Sequence, residues 1–233
     1  MKILAIETAT IEVGVAVGDE TGPIATATSR PGRRQVETLH PAIAEVCGRA
    51  GVGLDELGVV AVDVGPGLFT GLRVGVAAAK ALAGALGLPM VTATSLEVLS
   101  AACPGAFGSV VPVVDMRRGE VAWNMPGEAP GAFRVGSPAR LACELDELSD
   151  PVLLVGDGAL RHEVELAGTT AGKRVFAGPE LAAAPVASLV VLAMAATKAG
   201  RLLDPLQVRP SYGREADARI NWSSREARGA VGR

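Results

Sequence analysis

The chain has 233 residues, of which 49% are hydrophobic, and a formal net charge of −3. This length and apolar content allow one large domain or two small ones with a substantial core and no disulfide or metal staples. Aromatic side chains make up only 3% and the charge is acidic, which argues against autonomous nucleic-acid binding, because such binding usually leaves a basic surface with stacking aromatics.

Cysteine usage and hydropathy indicate a soluble, cytoplasmic protein. Cys47, Cys103 and Cys143 are far apart and form no paired motif, as expected of reduced thiols. The N-terminal apolar run contains Glu7 and Glu12 and has no cleavage site after it, so it does not read as a signal peptide. The apolar helix candidate that ends at Lys198 is too short to span a bilayer.

The chain opens with three predicted strands, at residues 2–8, 12–18 and 23–29. Apolar residues alternate in the second strand, and the stretch GDETG is a good hairpin turn to the third.

A helix follows in residues 30–51. It is predicted by apolar residues at helical spacing, namely Val36, Leu39, Ile43 and Val46, and it ends at Gly48 or Gly51. Pro41 lies inside this pattern, which predicts a kink or a late helix start.

The rest of the first half alternates strand and helix. The continuous apolar run 57–65 predicts a strand covered on both faces, and 89–95 predicts a shorter one. A helix over 71–87, capped by Thr70 and ended by Gly87, lies between them. The last helix, over 95–103, has Ser95 as its predicted cap and Glu97 in its first turn.

The second half repeats this order of elements. Two strands joined by a turn at Arg117–Gly119 are predicted within residues 108–126, followed by a strand at 131–136, a helix at 138–150, a strand and glycine turn at 151–159, a helix at 160–168, a strand at 173–178 and a helix at 185–199. Three strands followed by alternating helices and strands, twice over, predict an α/β actin-like (ASKHA, RNase H-like) duplicated fold with two βββαβαβα-type halves.

The domain boundary is expected at residues 102–109. Residues 1–103 then form the first actin-like half, which carries the dimerisation helices, and residues 104–184 form the second. Residues 185–210 form a C-terminal helix and segment that pack back on the first half. Residues 211–233 are expected to be a partly disordered tail, rich in arginine.

The stretch DVGPGLFTGLRVG, residues 63–75, raises the question of phosphate binding. Its glycines, Gly65, Gly67 and Gly71, do not have the dinucleotide-binding spacing, and no Gly-Lys-Ser/Thr sequence completes a P-loop. A structural turn that presents a helix is therefore the favoured interpretation, with Leu68 and Phe69 left for packing.

The same stretch resembles a family signature. GPGLFTGLRVG is similar to the GPGSFTGLRIG motif of the bacterial TsaB (YeaZ) family, and VVDMRRGEVAW resembles that family's DARRGEVY. The opening MKILAIETAT, the glycine turn LLVGDGA and the segment QVRPSYGREADA extend the resemblance over essentially the whole chain.

The resemblance implies a non-catalytic subunit that dimerises with a TsaD-type transferase. That complex, with a TsaE-type ATPase subunit, transfers threonylcarbamoyl to the tRNA adenosine next to the anticodon. The resemblance also implies that the chain contacts tRNA only through the complex, that it forms a homodimer when alone and that it does not associate with a membrane. A stand-alone actin-like ATPase or kinase is the alternative, and a self-dimer with an unrelated interaction role is a third.

Candidates for chemistry are few. His40 and His162 lie in different halves and do not form the helical histidine pair that TsaD uses for metal, so neither a metal site nor a catalytic residue is assigned. Thr8, Asp115 and Gly156 are the cleft positions for a weakly bound nucleotide, and no cofactor is expected to be required. Asp115 is interpreted as a turn residue bridged to arginine rather than as a magnesium ligand.

The predicted partner surface lies on the first two helices. In the helix after the glycine stretch, Gly75, Ala79 and Ala83 form a small-residue stripe that would let two helix axes approach closely, unless this stripe packs on its own sheet. Because the helix is small or apolar nearly all round, it is expected to be buried on more than one side. The predicted interface residues are Leu39, Ile43, Leu68, Phe69, Arg73, Gly75, Val76, Ala79 and Ala83.

Overall fold

A computed structural model describes residues 1–29, 35–103, 105, 109–168 and 173–213 of the chain, with only the backbone for residues 35 and 36. The predicted tail beyond residue 213 and the side chain of Val36 lie outside the described residues.

The first half runs β-β-β-α-β-α-β-α. Its elements are β1 (Lys2–Glu7), β2 (Val13–Asp19), β3 (Gly22–Ser29), α1 (Gln35–Ala50), β4 (Leu57–Asp63), α2 (Phe69–Leu86), β5 (Met90–Ala93) and α3 (Ser95–Ala101). Their sheet has the order β3-β2-β1-β4-β5, in which β1 pairs antiparallel with β2 and parallel with β4.

The second half uses the same plan. Its elements are β6 (Ser109–Arg117), β7 (Glu120–Trp123), β8 (Arg134–Gly136), α4 (Pro138–Asp146), β9 (Val152–Val155), α5 (Asp157–Arg161), α6 (Glu163–Ala167), β10 (Arg174–Phe176) and α7 (Val186–Lys198). Its sheet has the order β10-β9-β6-β7-β8. Read from β8 to β10, this order matches the first sheet strand for strand. This repeated topology confirms the predicted actin-like, duplicated α/β fold.

The alternation of side chains along β1 explains how the layers form. Leu4 and Ile6 point to the face covered by α1 and α2, whereas Ile3 and Ala5 point to the opposite face, which packs on α3 and α7. Val114 and Val155 of the second sheet belong to the same buried cluster as Ile3 and Ala5, so the two sheets share one core through α3 and α7.

Three local expectations about helix starts are wrong. Of the two alternatives predicted at Pro41, a kink or a late start, the late start does not occur, since α1 begins at residue 35 and runs through Pro41. Thr70 is not the cap of α2: the helix already begins at Phe69, and its N-cap position is Leu68, without a side-chain cap. Helix α3 is capped by Thr94, whose hydroxyl accepts from the Glu97 amide, and not by Ser95.

The predicted helix at 160–168 is two short helices, α5 and α6. They meet at His162, and the first begins at Asp157. The predicted end of α2 is confirmed: Gly87 has φ 65°, the left-handed conformation that closes many helices.

Candidate partner-binding surface and the glycine loop

The glycine loop between β4 and α2 is filled by the chain itself. The Leu68 amide donates to the Ala9 carbonyl of the β1–β2 turn at 2.7 Å. A Cβ atom on Gly67 would lie 2.1 Å from that same carbonyl oxygen. A carbonyl oxygen of the protein thus accepts from the loop amide of Leu68 and packs against Gly67, and the loop acts as a tight junction between hairpin and helix.

Thr8 belongs to this junction. Its hydroxyl is fully buried and donates to the Gly71 carbonyl in the first turn of α2 at 2.8 Å. A Cβ atom on Gly75 would lie 2.1 Å from the same hydroxyl oxygen. The absence of a side chain at Gly75 therefore lets α2 pack directly on the end of β1, and the Thr8 hydroxyl is hydrogen-bonded within the protein.

Two buried carboxyl groups accept hydrogen bonds from the residues around this junction. Glu7 accepts from the amides of Ala9 and Thr10, at 2.7 and 2.9 Å, and from the Thr10 hydroxyl. Asp63 Oδ1 accepts from the Gly65 amide at 2.7 Å and from the Ser95 hydroxyl at 2.9 Å, while its Oδ2 has no hydrogen-bond partner among the described residues.

Burial controls the protonation of this pair. Both side chains are fully buried, and loss of hydration raises the pKa of Glu7 well above its usual range and the pKa of Asp63 to about 7. The charge of Asp63 raises the Glu7 pKa further. The role of Asp63 was not predicted from the sequence; its place at the end of a buried strand, two residues before a glycine, was the available signal.

In the second half, the acidic residue near the end of β6 is Asp115. Its carboxylate accepts from the Arg117 amide and from Arg117 Nη1, both at 2.8 Å, and lies 3.4 Å from Arg161 Nε. The Asp115 amide donates to Asp157, whose pKa burial raises to about 6. The interpretation of Asp115 as a turn residue bridged to arginine agrees with these contacts.

The space beside the Gly156 Cα is likewise filled by backbone atoms. It has φ 104°, and a Cβ atom there would lie 2.2 Å from the Val113 carbonyl oxygen. The structure thus places Thr8, Asp115 and Gly156 at strand ends, each in contact with protein. The cavities described, of about 790, 400 and 20 Å³, are lined by other residues. Weak nucleotide binding stays a prediction.

The histidines are also apart. His40 is exposed on α1, whereas His162 lies between α5 and α6 with Nδ1 3.2 Å from Glu165. Across the described ranges, no three His, Cys, Asp or Glu side chains come together as a group that would hold a metal ion.

The small-residue stripe of α2 faces its own sheet. Gly75, Ala79 and Ala83 are buried, the two alanines completely, and they pack in the core cluster of β1 and β4. Leu39 and Val76 are buried in that cluster too. The placement of these five residues on a partner surface is therefore wrong, because a helix that is small on every side gives no signal for which face meets the sheet.

The opposite face of α2 is exposed, contrary to the expectation that the helix is buried on more than one side. It presents Phe69, Thr70, Arg73, Ala77, Ala81, Gly84 and Ala85. Of the predicted interface residues, Phe69 and Arg73 are exposed. Leu68, which precedes Phe69, and Ile43 on α1 are partly buried. By length and composition alone α2 would also suit a membrane span, but its inward face packs on β4.

An aromatic and arginine cluster stands at the start of this exposed face. The Arg73 guanidinium lies over the Phe69 ring, with Cζ 3.8 Å from the ring centroid, and its Nε donates to the Tyr212 hydroxyl at 3.2 Å. The Phe69 and Tyr212 rings are 5.2 Å apart between centroids. Phe69 remains 49% exposed, and Phe, Tyr and Arg are residue types enriched in protein interfaces.

Comparisons with known proteins agree with the sequence motifs. A family model described as TsaD, tRNA N6-adenosine threonylcarbamoyltransferase, matches residues 29–133. The chain is 28% identical over 228 residues to the tRNA threonylcarbamoyladenosine biosynthesis protein TsaB of Bacillus subtilis, which covers 95% of this chain and 98% of that protein. It is 32% identical over 162 residues to an uncharacterized protein of Mycobacterium tuberculosis, covering 69% of this chain and 73% of that protein.

A solved structure supports the same assignment. The crystal structure of an uncharacterized Pseudomonas aeruginosa protein with similarity to peptidase YeaZ superposes with a TM-score of 0.78 at 25% identity, covering 91% of this chain and 99% of that chain. The glycine motif and the repeated sheet topology agree with these relatives, which together cover nearly the whole chain. This chain belongs to the TsaB (YeaZ) family.

Proposed function

We propose that this chain is the non-catalytic subunit that dimerises with a TsaD-type transferase during tRNA threonylcarbamoyladenosine biosynthesis in the cytoplasm. Its part is to support threonylcarbamoyl transfer to the tRNA adenosine next to the anticodon, together with a TsaE-type ATPase subunit. It meets tRNA only within the complex and forms a homodimer when alone. The name of its Bacillus relative supports the pathway.

The exposed face of α2 carries the proposal of a subunit role. From Phe69 to Ala85 this face is about 24 Å long, and Arg73 is the single charged residue among its exposed positions. The solvent face of a helix in a monomer is normally polar and charged. A long, flat, nearly uncharged helix face ending in an aromatic and arginine cluster is instead suited to contact with another protein.

The contacts of Thr8, Asp115 and Gly156, the predicted cleft residues, support the proposal that the subunit is non-catalytic. Thr8 bonds to Gly71, Asp115 is bridged to two arginines, and the backbone of β6 closes on Gly156. An enzyme needs such groups directed at a substrate. We therefore expect the isolated chain to turn over ATP far below the roughly 1–10³ per second of ordinary enzymes.

Reconstitution tests the proposal. The chain is mixed with a TsaD-type protein, a TsaE-type ATPase, ATP, threonylcarbamoyl-adenylate and tRNA, and threonylcarbamoyladenosine is measured by mass spectrometry of digested tRNA. Ala77→Glu places a charge in the middle of the exposed α2 face, and Ala195→Glu is the matched control on the exposed side of α7. We expect Ala77→Glu to abolish co-elution with the TsaD-type protein and product formation, while Ala195→Glu retains both.

Two results would contradict the proposal. Equal activity of the Ala77→Glu and Ala195→Glu proteins would remove α2 from the interface. Steady ATP hydrolysis by the isolated chain that survives repurification and is lost in Asp115→Ala would favour a stand-alone ATPase or kinase instead.

A further inference from the structure

We propose that Arg73 selects a heteromeric partner over a second copy of this chain, by binding a carboxylate on the facing surface of that partner. The inference rests on the proposed function and adds the residue that sets specificity. It also gives the C-terminal segment a task, since Tyr212 holds Arg73 in position.

The Arg73 side chain is held in one orientation from two sides. The Phe69 ring, one helical turn before it, lies under the guanidinium with its centroid 3.8 Å from Cζ, and the Tyr212 hydroxyl accepts from Nε. Stacking on an aromatic ring leaves the edge of the guanidinium open, and the two Nη groups form a fork that matches a carboxylate. Those two Nη groups have no hydrogen-bond partner within the described part of the chain.

The segment that carries Tyr212 is itself fixed on the first half. Leu203 exchanges two backbone hydrogen bonds with Met90, Lys80 Nζ donates to the Val208 carbonyl, and the Ser211 amide donates to the Val64 carbonyl at 2.7 Å. Tyr212 therefore reaches Arg73 from a rigid support. An arginine already oriented loses less conformational freedom on binding than a free surface arginine.

Among the described residues of α1 and α2, a second copy of this chain offers Arg73 no carboxylate without a partner of its own. The other exposed positions of α2 are Phe, Thr, Ala and Gly, so two copies packed through this face would bury two guanidinium groups without an opposite charge. On the neighbouring α1, Glu45 already pairs with Arg49 at 3.4 Å, and Glu37 also has a partner inside the chain. A buried charge left without a partner weakens association strongly, so the homodimer that forms when the chain is alone should be weaker than the heterodimer.

A protein fits this face better than RNA does. The residues around the Arg73 fork are small and uncharged, and the chain has a net charge of −3. Nucleic-acid surfaces require several cations along a phosphate backbone. The occupant is accordingly a protein helix or loop with an Asp or Glu that reaches the Arg73 fork.

Two association constants measured on the same variants test the inference. Homodimer affinity comes from sedimentation equilibrium of the isolated chain, and heterodimer affinity from calorimetry with the TsaD-type protein. Arg73→Met keeps an unbranched apolar side chain on Phe69 but removes the fork, Tyr212→Phe removes only the hydroxyl, and Arg201→Met is the matched control at an exposed arginine outside α2.

For Arg73→Met we expect heterodimer affinity to fall at least about thirtyfold, the loss typical of an unpaired buried charge. Its homodimer affinity should stay equal or rise. Tyr212→Phe should weaken the heterodimer about three- to tenfold, as for one lost hydrogen bond, and Arg201→Met should change neither constant. Melting curves of all variants should coincide, which separates the effect from unfolding.

Each other outcome overturns the inference. Equal losses in both assemblies, or an unchanged heterodimer, would mean that Arg73 does not select the partner. If a chain ending at Gly213 no longer responds to Arg73→Met, the carboxylate belongs to this chain's own C-terminal residues. A loss of tRNA binding in place of partner binding would assign Arg73 to RNA. Failure of the wild-type chain to bind the TsaD-type protein would instead refute the proposed function itself, before any variant is compared.

Discussion

Replacing Gly67 with alanine tests whether the glycine loop is a packing junction or a ligand cradle. The added Cβ atom would lie 2.1 Å from the Ala9 carbonyl oxygen and 2.8 Å from its carbon. Both are backbone atoms of a fully buried residue, so no side-chain rotation relieves the clash. The loop and the hairpin must move apart, which also stretches the 2.7 Å bond from the Leu68 amide to Ala9.

The magnitude follows from these two effects. Forcing one extra carbon into a packed site costs about 1–3 kcal/mol, and losing the buried hydrogen bond costs about 1 kcal/mol more. The free energy of unfolding should thus fall by about 2–4 kcal/mol. For a chain of this size that lowers the melting temperature by about 4–16 °C.

Thermal melting followed by circular dichroism measures the effect, with Gly84→Ala as control. Gly84 is an exposed residue of α2, the helix that follows the loop, and a Cβ atom there meets nothing within 4 Å. Alanine is the better helix former, so this control should stabilise the protein by about 0.5–1 kcal/mol. If Gly67→Ala melts like wild type and loses only nucleotide binding, the packing interpretation of the loop is refuted.

Three further predictions concern pH, a strained turn and a helix cap. The pKa of Asp63, raised by burial to about 7, lies above the unfolded value of about 3.9, so the folded state binds this proton more tightly and stability should fall as pH rises from about 4 to 7. Melting temperatures across this range should show the fall in wild type and a shallower one in Asp63→Asn; parallel curves would contradict it. Arg118 has φ 56°, a left-handed conformation that glycine adopts without strain, so Arg118→Gly should raise the free energy of unfolding in urea by about 1 kcal/mol, and a decrease would mean that the side chain's contacts outweigh the strain. Thr94→Ala removes the capping hydroxyl of α3 and should cost about 1 kcal/mol in the same assay; if Thr94→Ala unfolds at the wild-type urea concentration, the cap contributes nothing.

The order of elements could be predicted from the sequence because it depends on local patterns. Alternating apolar residues indicated β2, the two-residue turn after Asp19 joins it to β3, and the stop at Gly87 follows from the conformational freedom of glycine. The same grammar in both halves was enough to predict two sheets of identical topology. Such signals act over a few residues, so they are readable without knowledge of the fold.

The candidate site depended on contacts that the sequence does not encode locally. Helix α2 carries small residues on every side, so periodicity could not decide whether Ala79 or Ala77 meets the sheet; burial of Ala79 and exposure of Ala77 follow from the position of Thr8 under Gly75. Arg73 and Tyr212 are 139 residues apart, and only the return of the C-terminal segment along α2 brings them together. Asp63 and Ser95 meet across 32 residues, because parallel strands bring their carboxyl ends to one edge of the sheet. The sequence by itself thus determined which elements form and in what order, while the tertiary structure decided which faces are buried and which distant side chains share a surface.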